Sequence, residues 1–124
     1  MKVIVAGSRQ LWQDHPPIYY VGEAMCLAKK RGIIPTEIVS GGARGVDLAG
    51  GEWAAENNLP VKRFIPDWSF GKQAGLLRNL QMAKYADALV AIWDGSSRGT
   101  AHMIDHAEGM GLKVFVHNLS EYYP

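Results

Sequence analysis

Gly7-Ser8-Arg9, Ser40-Gly41-Gly42-Ala43-Arg44-Gly45-Val46-Asp47 and Asp94-Gly95-Ser96-Ser97-Arg98-Gly99-Thr100 form three glycine-rich turns, each placed after a short apolar run and before a stretch with helical potential. At every one of them backbone N–H groups and a helix N-terminus can face an anion. The chemistry this suits is the binding of a phosphate or a nucleotide. Gly41 and Gly42 lack Cβ atoms, which lets the backbone approach a phosphate or ribose closely. The second turn has no Lys-Ser/Thr pair, so it is not a Walker P-loop, and the first strand is not followed by the G-x-G-x-x-G of dinucleotide enzymes. A plain strand-to-helix turn uses glycine in the same way, yet three coincident turns favour a site. Ser96, Ser97 and Thr100 add hydroxyl groups just before a helix, where the dipole favours negative charge; Ser97 or Thr100 can equally serve as its cap.

Arg78 stands beside Asn79 in Leu76-Leu77-Arg78-Asn79-Leu80-Gln81-Met82, and its planar guanidinium suits a phosphate or a ribose. Arg9, Arg44 and Arg98 occupy the turns themselves, with a solvated surface charge as the plain alternative for each. His102, Asp105 and His106 share one helix, but Met103 stands where a zinc helix carries glutamate and no third ligand follows, so no metal and no cofactor are expected. Trp68 and Phe70 can stack on a base, or form a hydrophobic lid or a dimer contact.

The elements that must position these groups alternate. Lys2–Ala6, Glu37–Ser40, Val61–Ile65, Ala88–Trp93 and Lys113–His117 read as strands. Between them the spacing predicts helices over Ile18–Arg31, over the stretch after the Gly-Gly turn to Asn57-Asn58, over Gln73–Tyr85 with Leu76, Leu77, Leu80 and Ala83 inward, and over Thr100–Met110. Pro66–Gly71 reads as a loop. The expectation is an α/β fold, a single Rossmann-like three-layer sandwich on a five-stranded parallel sheet, with ligands bound beyond the carboxyl ends of the strands where strand order reverses. The length of 124 residues fits one domain, here residues 1–118, with 119–124 as a tail frayed or packed on the surface.

A formal charge of +1 gives no general attraction to nucleic acid or to a membrane, so anion binding must be local. No apolar run is long enough to span a bilayer and nothing near Met1 reads as a cleavable signal, so a cytoplasmic location is expected. The one cysteine, Cys26, reads as a core residue. Self-association into a homodimer or larger homo-oligomer is expected through helix faces carrying Trp53, Met82 and Met103.

The succession Val3–Arg9, Ser40–Asp47, Asp67-Trp68 with Gly71-Lys72-Gln73-Ala74-Gly75, Arg78-Asn79 with Met82, Ala86-Asp87-Ala88 and Gly99-Thr100 resembles the YspA-like, cpYpsA-related branch of the SLOG superfamily, over about Met1 to His117. That superfamily groups the DNA-processing protein DprA/Smf with the LOG phosphoribohydrolases. The resemblance implies a domain whose glycine-rich loops bind a nucleotide or nucleotide-derived ligand, as a sensor or accessory factor. The ligand-binding set is then Gly7, Ser8, Arg9, Gly41, Gly42, Ala43, Gly45, Asp47, Lys72, Arg78, Asn79, Gly95, Ser96, Ser97, Gly99 and Thr100. LOG enzymes cleave the N-glycosidic bond of nucleoside monophosphates with an arginine, matched here by Arg78, and a glutamate in a Pro-Gly-Gly-x-Gly-Thr-x-x-Glu signature. Here that signature has no proline and its glutamate position falls on Met103, which supplies no charge to an oxocarbenium-like transition state. Hydrolysis, with Arg78 and Asp94 as candidate catalytic groups and Asp47 or Glu52 as possible substitutes for the glutamate, is the alternative function. Binding of single-stranded DNA in the manner of DprA is a second alternative, disfavoured by the absence of a basic stripe.

Overall fold

Val3, Ile4, Val5 and Ala6 in one strand, and Ala88 to Ile92 in another, are buried on both sides, so these two strands must lie at the centre of a covered sheet. The computed structural model describes residues 1–11 and 14–124, and it places them there. In chain order the elements are β1 (Lys2–Gly7), α1 (Pro17–Lys29), β2 (Glu37–Ser40), α2 (Val46–Glu56), β3 (Val61–Arg63), a 3₁₀ segment (Trp68–Gln73), α3 (Ala74–Tyr85), β4 (Ala88–Trp93), α4 (Arg98–Gly109), β5 (Lys113–Asn118) and α5 (Leu119–Tyr122). The strand order is β3-β2-β1-β4-β5, with every pair parallel. The protein is therefore an α/β Rossmann-like sandwich. The chain winds outward from β1 to β3, then crosses back to β4 on the other side of β1. The order reverses between β1 and β4, which is where such sheets open a crevice for ligands.

The two-residue period of the strands divides the core in two. Val3 and Val5 of β1, with Ala88, Val90 and Ile92 of β4, face α1, α2 and Leu119 of α5, where Tyr20, Val21, Ala24, Val46 and Ala49 meet them. Ile4 and Ala6, with Leu89 and Ala91, face α3 and α4 through Met82, Ala83, Met103, Ile104 and Ala107. Each fully buried Ile, Leu, Val or Met side chain contributes about 1.5 to 3 kcal/mol. Pro17 supplies the preset φ at the start of α1, and Asn58, at φ 58°, takes the left-handed conformation that ends α2 ahead of Pro60.

Several expectations are corrected here. Strand β3 ends at Arg63, not Ile65. Phe64 still donates its N–H to the Ser40 carbonyl at 2.9 Å, but Pro66 has no N–H to extend the ladder and Ile65 is 77% exposed. On α3 the inward face is Ala74, Asn79, Met82 and Ala83, while Leu76 and Leu77 are exposed and Leu80 is half-buried. The helix is rotated so that Asn79 reaches the sheet edge, which turns the leucine pair outward. Met82 and Met103, expected in a dimer contact, are each 1% exposed and belong to the core, so neither can be a surface anchor. Cys26 is exposed, not core: its neighbour Met25 takes the inward position on α1, and Cys26 lines a groove with Tyr19 and Trp53. The segment expected as a loop after β3 is a 3₁₀ helix started by Asp67, whose Oδ1 accepts the Ser69 N–H at 3.0 Å and the Ser69 hydroxyl at 2.6 Å.

The last residues are packed against the body. Leu119 is fully buried, the Tyr123 hydroxyl donates to Glu23 Oε2 at 2.5 Å, and His117 Nε2 lies 2.7 Å from Glu23 Oε1. Among the described residues no helix is long and apolar enough to cross a membrane.

Candidate functional site

The three glycine turns leave the carboxyl ends of β1, β2 and β4, and short polar contacts draw them together. Ser8, fully buried after β1, donates its N–H to the Ile92 carbonyl at 3.2 Å, and its Oγ accepts the Asp94 N–H at 3.1 Å. The Ser8 carbonyl in turn accepts the Val46 N–H at 3.3 Å. Gly45, at φ 77°, presses so closely on Arg9 that a Cβ there would collide with the Arg9 carbonyl oxygen. Its glycine identity thus serves the approach of two turns.

At the centre lie Asp47, Arg78 and Asn79. Asp47 opens the first turn of α2 and is 5% exposed; its Oδ1 accepts the Gly7 N–H at 3.2 Å. Arg78 on α3 donates from Nη1 to the Gly41 carbonyl at 2.8 Å. Arg78 Nη1 and Asp47 Oδ2 both crowd the space that a side chain on Gly41 would fill, so the missing Cβ is what lets guanidinium and carboxylate flank the turn. Burial pushes the Asp47 carboxyl up to about 6, against the opposing pull of Arg78, the Gly7 and Ala43 N–H groups and Arg9. Burial also lowers the Arg78 guanidinium from its ordinary value, with Asp47 acting the other way; it remains a cation at neutral pH.

Arg78 Nε donates to Asn79 Oδ1 at 3.2 Å, and Asn79 Nδ2 donates to the Gly99 carbonyl at 3.4 Å. Asn79 Nδ2 also lies 3.2 Å from His102 Nδ1, an acceptor in the tautomer protonated at Nε2. Burial, with His106 adding to it, lowers the His102 pKa and so favours the neutral ring that this contact needs. The pair Arg78-Asn79 therefore ties α3 to both β2 and the start of α4.

The third turn departs from the expectation that its amides are free for a phosphate. Asp94 Oδ1 accepts the Ser96 N–H at 2.8 Å and the Ser97 N–H at 2.7 Å, so two amides of the loop are already satisfied internally. Burial raises the Asp94 carboxyl, but these two N–H groups and the Ser8 and Ser96 hydroxyls outweigh it and hold it below the usual carboxylate range. The amides left open are those of the first turn of α4, whose cap residue Ser97 makes no side-chain bond to the backbone and instead places Oγ 3.2 Å from Thr100 Oγ1.

These groups surround one cavity of about 660 Å³ at the β1/β4 reversal. Gly7, Ser8 and Arg9 line it from the first turn, Ala43 and Asp47 from the second, and Asp94, Ser97, Gly99 and Thr100 from the third. Lys72, Arg78 and Asn79 close it from the start of α3. Gly41, Gly42, Gly45, Gly95 and Ser96 lie outside the lining and shape the turns. The remaining wall includes Arg44, Gln10, Gly75, Leu76 and Met103. Arg44 carries a signal in the sequence, a cation inside a glycine turn at a strand end; the sequence places Leu76 on the inward helix face and Met103 at a dimer contact, and Gln10 carries no signal. Arg98 and Glu52 are exposed and outside the lining. Trp68 and Phe70 are exposed on the 3₁₀ segment that leads to Lys72.

The cavity thus carries the cations Arg9, Arg44, Lys72 and Arg78 against Asp47, whose charge burial opposes, and Asp94, whose charge is spent on its own turn. That arrangement can hold an anion by charge-assisted hydrogen bonds. No curated protein and no solved structure matches the chain. A model of the YspA, cpYpsA-related SLOG family matches residues 1–71, the span from β1 into the 3₁₀ segment that contains the first two glycine turns and Asp47. With more than half its length matched, the chain belongs to the YspA, cpYpsA-related family of SLOG proteins.

Proposed function

We propose that this protein binds a nucleotide or nucleotide-derived ligand in the cavity at the β1/β4 reversal and acts as a sensor or accessory factor. The observation that carries the reading is the convergence of Arg9, Arg44, Lys72 and Arg78 on a cavity that the first turn of α4 also lines. Membership of a nucleotide-related family supports it. A volume of about 660 Å³ accommodates a ligand of nucleotide size. The test is a thermal-shift screen against mononucleotides, dinucleotides, cyclic nucleotides and ADP-ribose. A true ligand at a hundredfold excess over Kd stabilises by about 2.7 kcal/mol. A screen in which none of these shifts the transition refutes the reading.

One observation favours a second reading, hydrolysis of a nucleotide N-glycosidic bond. Met103 occupies the glutamate position of the LOG signature with a buried thioether, but Asp47 brings a carboxyl of pKa about 6 to the same cavity, in the range that suits an acid or base near neutral pH. Release of free base from nucleoside monophosphates, lost in Asp47→Asn, is the result this reading requires.

A further inference from the structure

We propose that Asp47 sits in the field of Arg78 across Gly41 without ion-pair contact, and that an anionic ligand entering the cavity makes Asp47 take up a proton, so that ligand binding is driven by falling pH. The inference rests on the nucleotide-binding reading and adds its regulation.

Asp47 Oδ1 is committed to the Gly7 N–H at 3.2 Å, which leaves Oδ2 facing the turn at Gly41 where Arg78 Nη1 also stands. The groups that face this carboxyl are Arg78 from α3, Arg9 and the Gly7 N–H from the β1 turn, and the Ala43 N–H from the β2 turn; Asp94 of the β4 turn lines the same cavity. With the cavity empty, Arg78 and Arg9 are the cations that offset its charge. A phosphate drawn to those same two cations takes over their field and adds a like charge next to a carboxylate that water barely reaches. The carboxylate cannot keep its charge there, and a solvent proton on Oδ2 resolves the conflict while turning that oxygen into a donor toward the anion. Burial has already moved the group up to about 6, so the proton is available at mildly acidic pH.

The test is calorimetric titration of ADP-ribose from pH 5 to 8 into wild type and Asp47→Asn. ADP-ribose is the right probe because its pyrophosphate charge is constant over this range, whereas a phosphomonoester titrates near pH 6. Wild-type affinity is expected to fall about tenfold per pH unit above pH 6, and Asp47→Asn, with Asp47 fixed neutral, to lose that slope. Any residual slope from His102, outside the lining, is common to both proteins. Binding with the same pH profile in both proteins overturns the inference and leaves the functional reading standing. No binding of ADP-ribose by either protein at pH 5, where wild-type Asp47 is protonated, overturns the inference, and the functional reading falls with it only if the whole thermal-shift screen is also negative. Should the variant fail to fold, the wild type alone decides. Titrations at pH 7 in two buffers of different ionisation enthalpy are expected to show uptake of about one proton per ligand bound, and uptake of none overturns the inference.

Discussion

Replacing Asp47 by asparagine should stabilise the empty protein at neutral pH, although it removes a hydrogen-bonded, buried acid. The carboxyl stands at about 6 in the folded chain against 3.8 ordinarily. Below 3.8 the group is protonated in both folded and unfolded chains and contributes no difference. Between the two values the folded chain holds the proton and the unfolded chain has released it, so stability falls as pH rises. Above pH 6 the full penalty is present, and at about 1.4 kcal/mol per pH unit it amounts to about 3 kcal/mol. Asparagine keeps the acceptor that takes the Gly7 N–H while carrying no charge. Its unfolding midpoint at pH 7.5 should therefore exceed that of wild type by roughly 10 °C, with the gap closing toward pH 4. Thermal unfolding of both proteins by circular dichroism across pH 4 to 8 provides the assay. A variant less stable than wild type at pH 7.5, or one whose gap does not change with pH, would refute the electrostatic account of this carboxyl.

Met82→Ala should cost about 2 to 5 kcal/mol because it empties a fully buried position, whereas Leu77→Ser on the outward face of the same helix should fall within about 0.5 kcal/mol of wild type; chemical denaturation measures both. Gly45→Ala should lower the unfolding midpoint, since the residue sits at φ 77° and the added Cβ meets the Arg9 carbonyl; a midpoint unchanged from wild type would show that the turns are not pressed together as described. Asp94→Ala frees the Ser96 and Ser97 amides and should cost about 0.5 to 2 kcal/mol in denaturation, the range for a lost side-chain cap, with less loss in Asp94→Asn.

The central strands were legible because Val3 to Ala6 and Ala88 to Ile92 are short, unbroken apolar runs closed by turn residues, as a doubly covered parallel strand requires. The three turns were legible from their glycines, and the parallel order then puts them at one sheet edge. The orientation of α3 was not. Leu76, Leu77 and Leu80 match Ala74, Met82 and Ala83 of the true inward stripe in number and exceed its alanines in size, so composition points the helix the wrong way, and the polar Asn79, buried with its amide toward the Gly99 carbonyl, marks the face that turns inward. On α1 Met25 is in the core while Cys26, the next residue around the helix, is exposed. The use of Asp94 to satisfy its own turn depends on a side-chain torsion that no pattern reveals. The placing of Asp47 and Arg78 on either side of Gly41 required the positions of three separate elements at once.

The most direct test of the account is calorimetric titration, at pH 6, of ADP-ribose and of the mononucleotide with the largest thermal shift into wild type, Arg78→Ala and Arg78→Lys. If Arg78 grips the ligand from its place beside Gly41, Arg78→Ala should bind more weakly by about 1.5 to 3 kcal/mol, the range for a charged hydrogen bond, and roughly ten- to 150-fold in Kd. Arg78→Lys should recover only part of that loss, because an ammonium keeps the charge without the planar fork. Binding by Arg78→Ala that equals wild type would contradict the account and move the ligand out of this cavity.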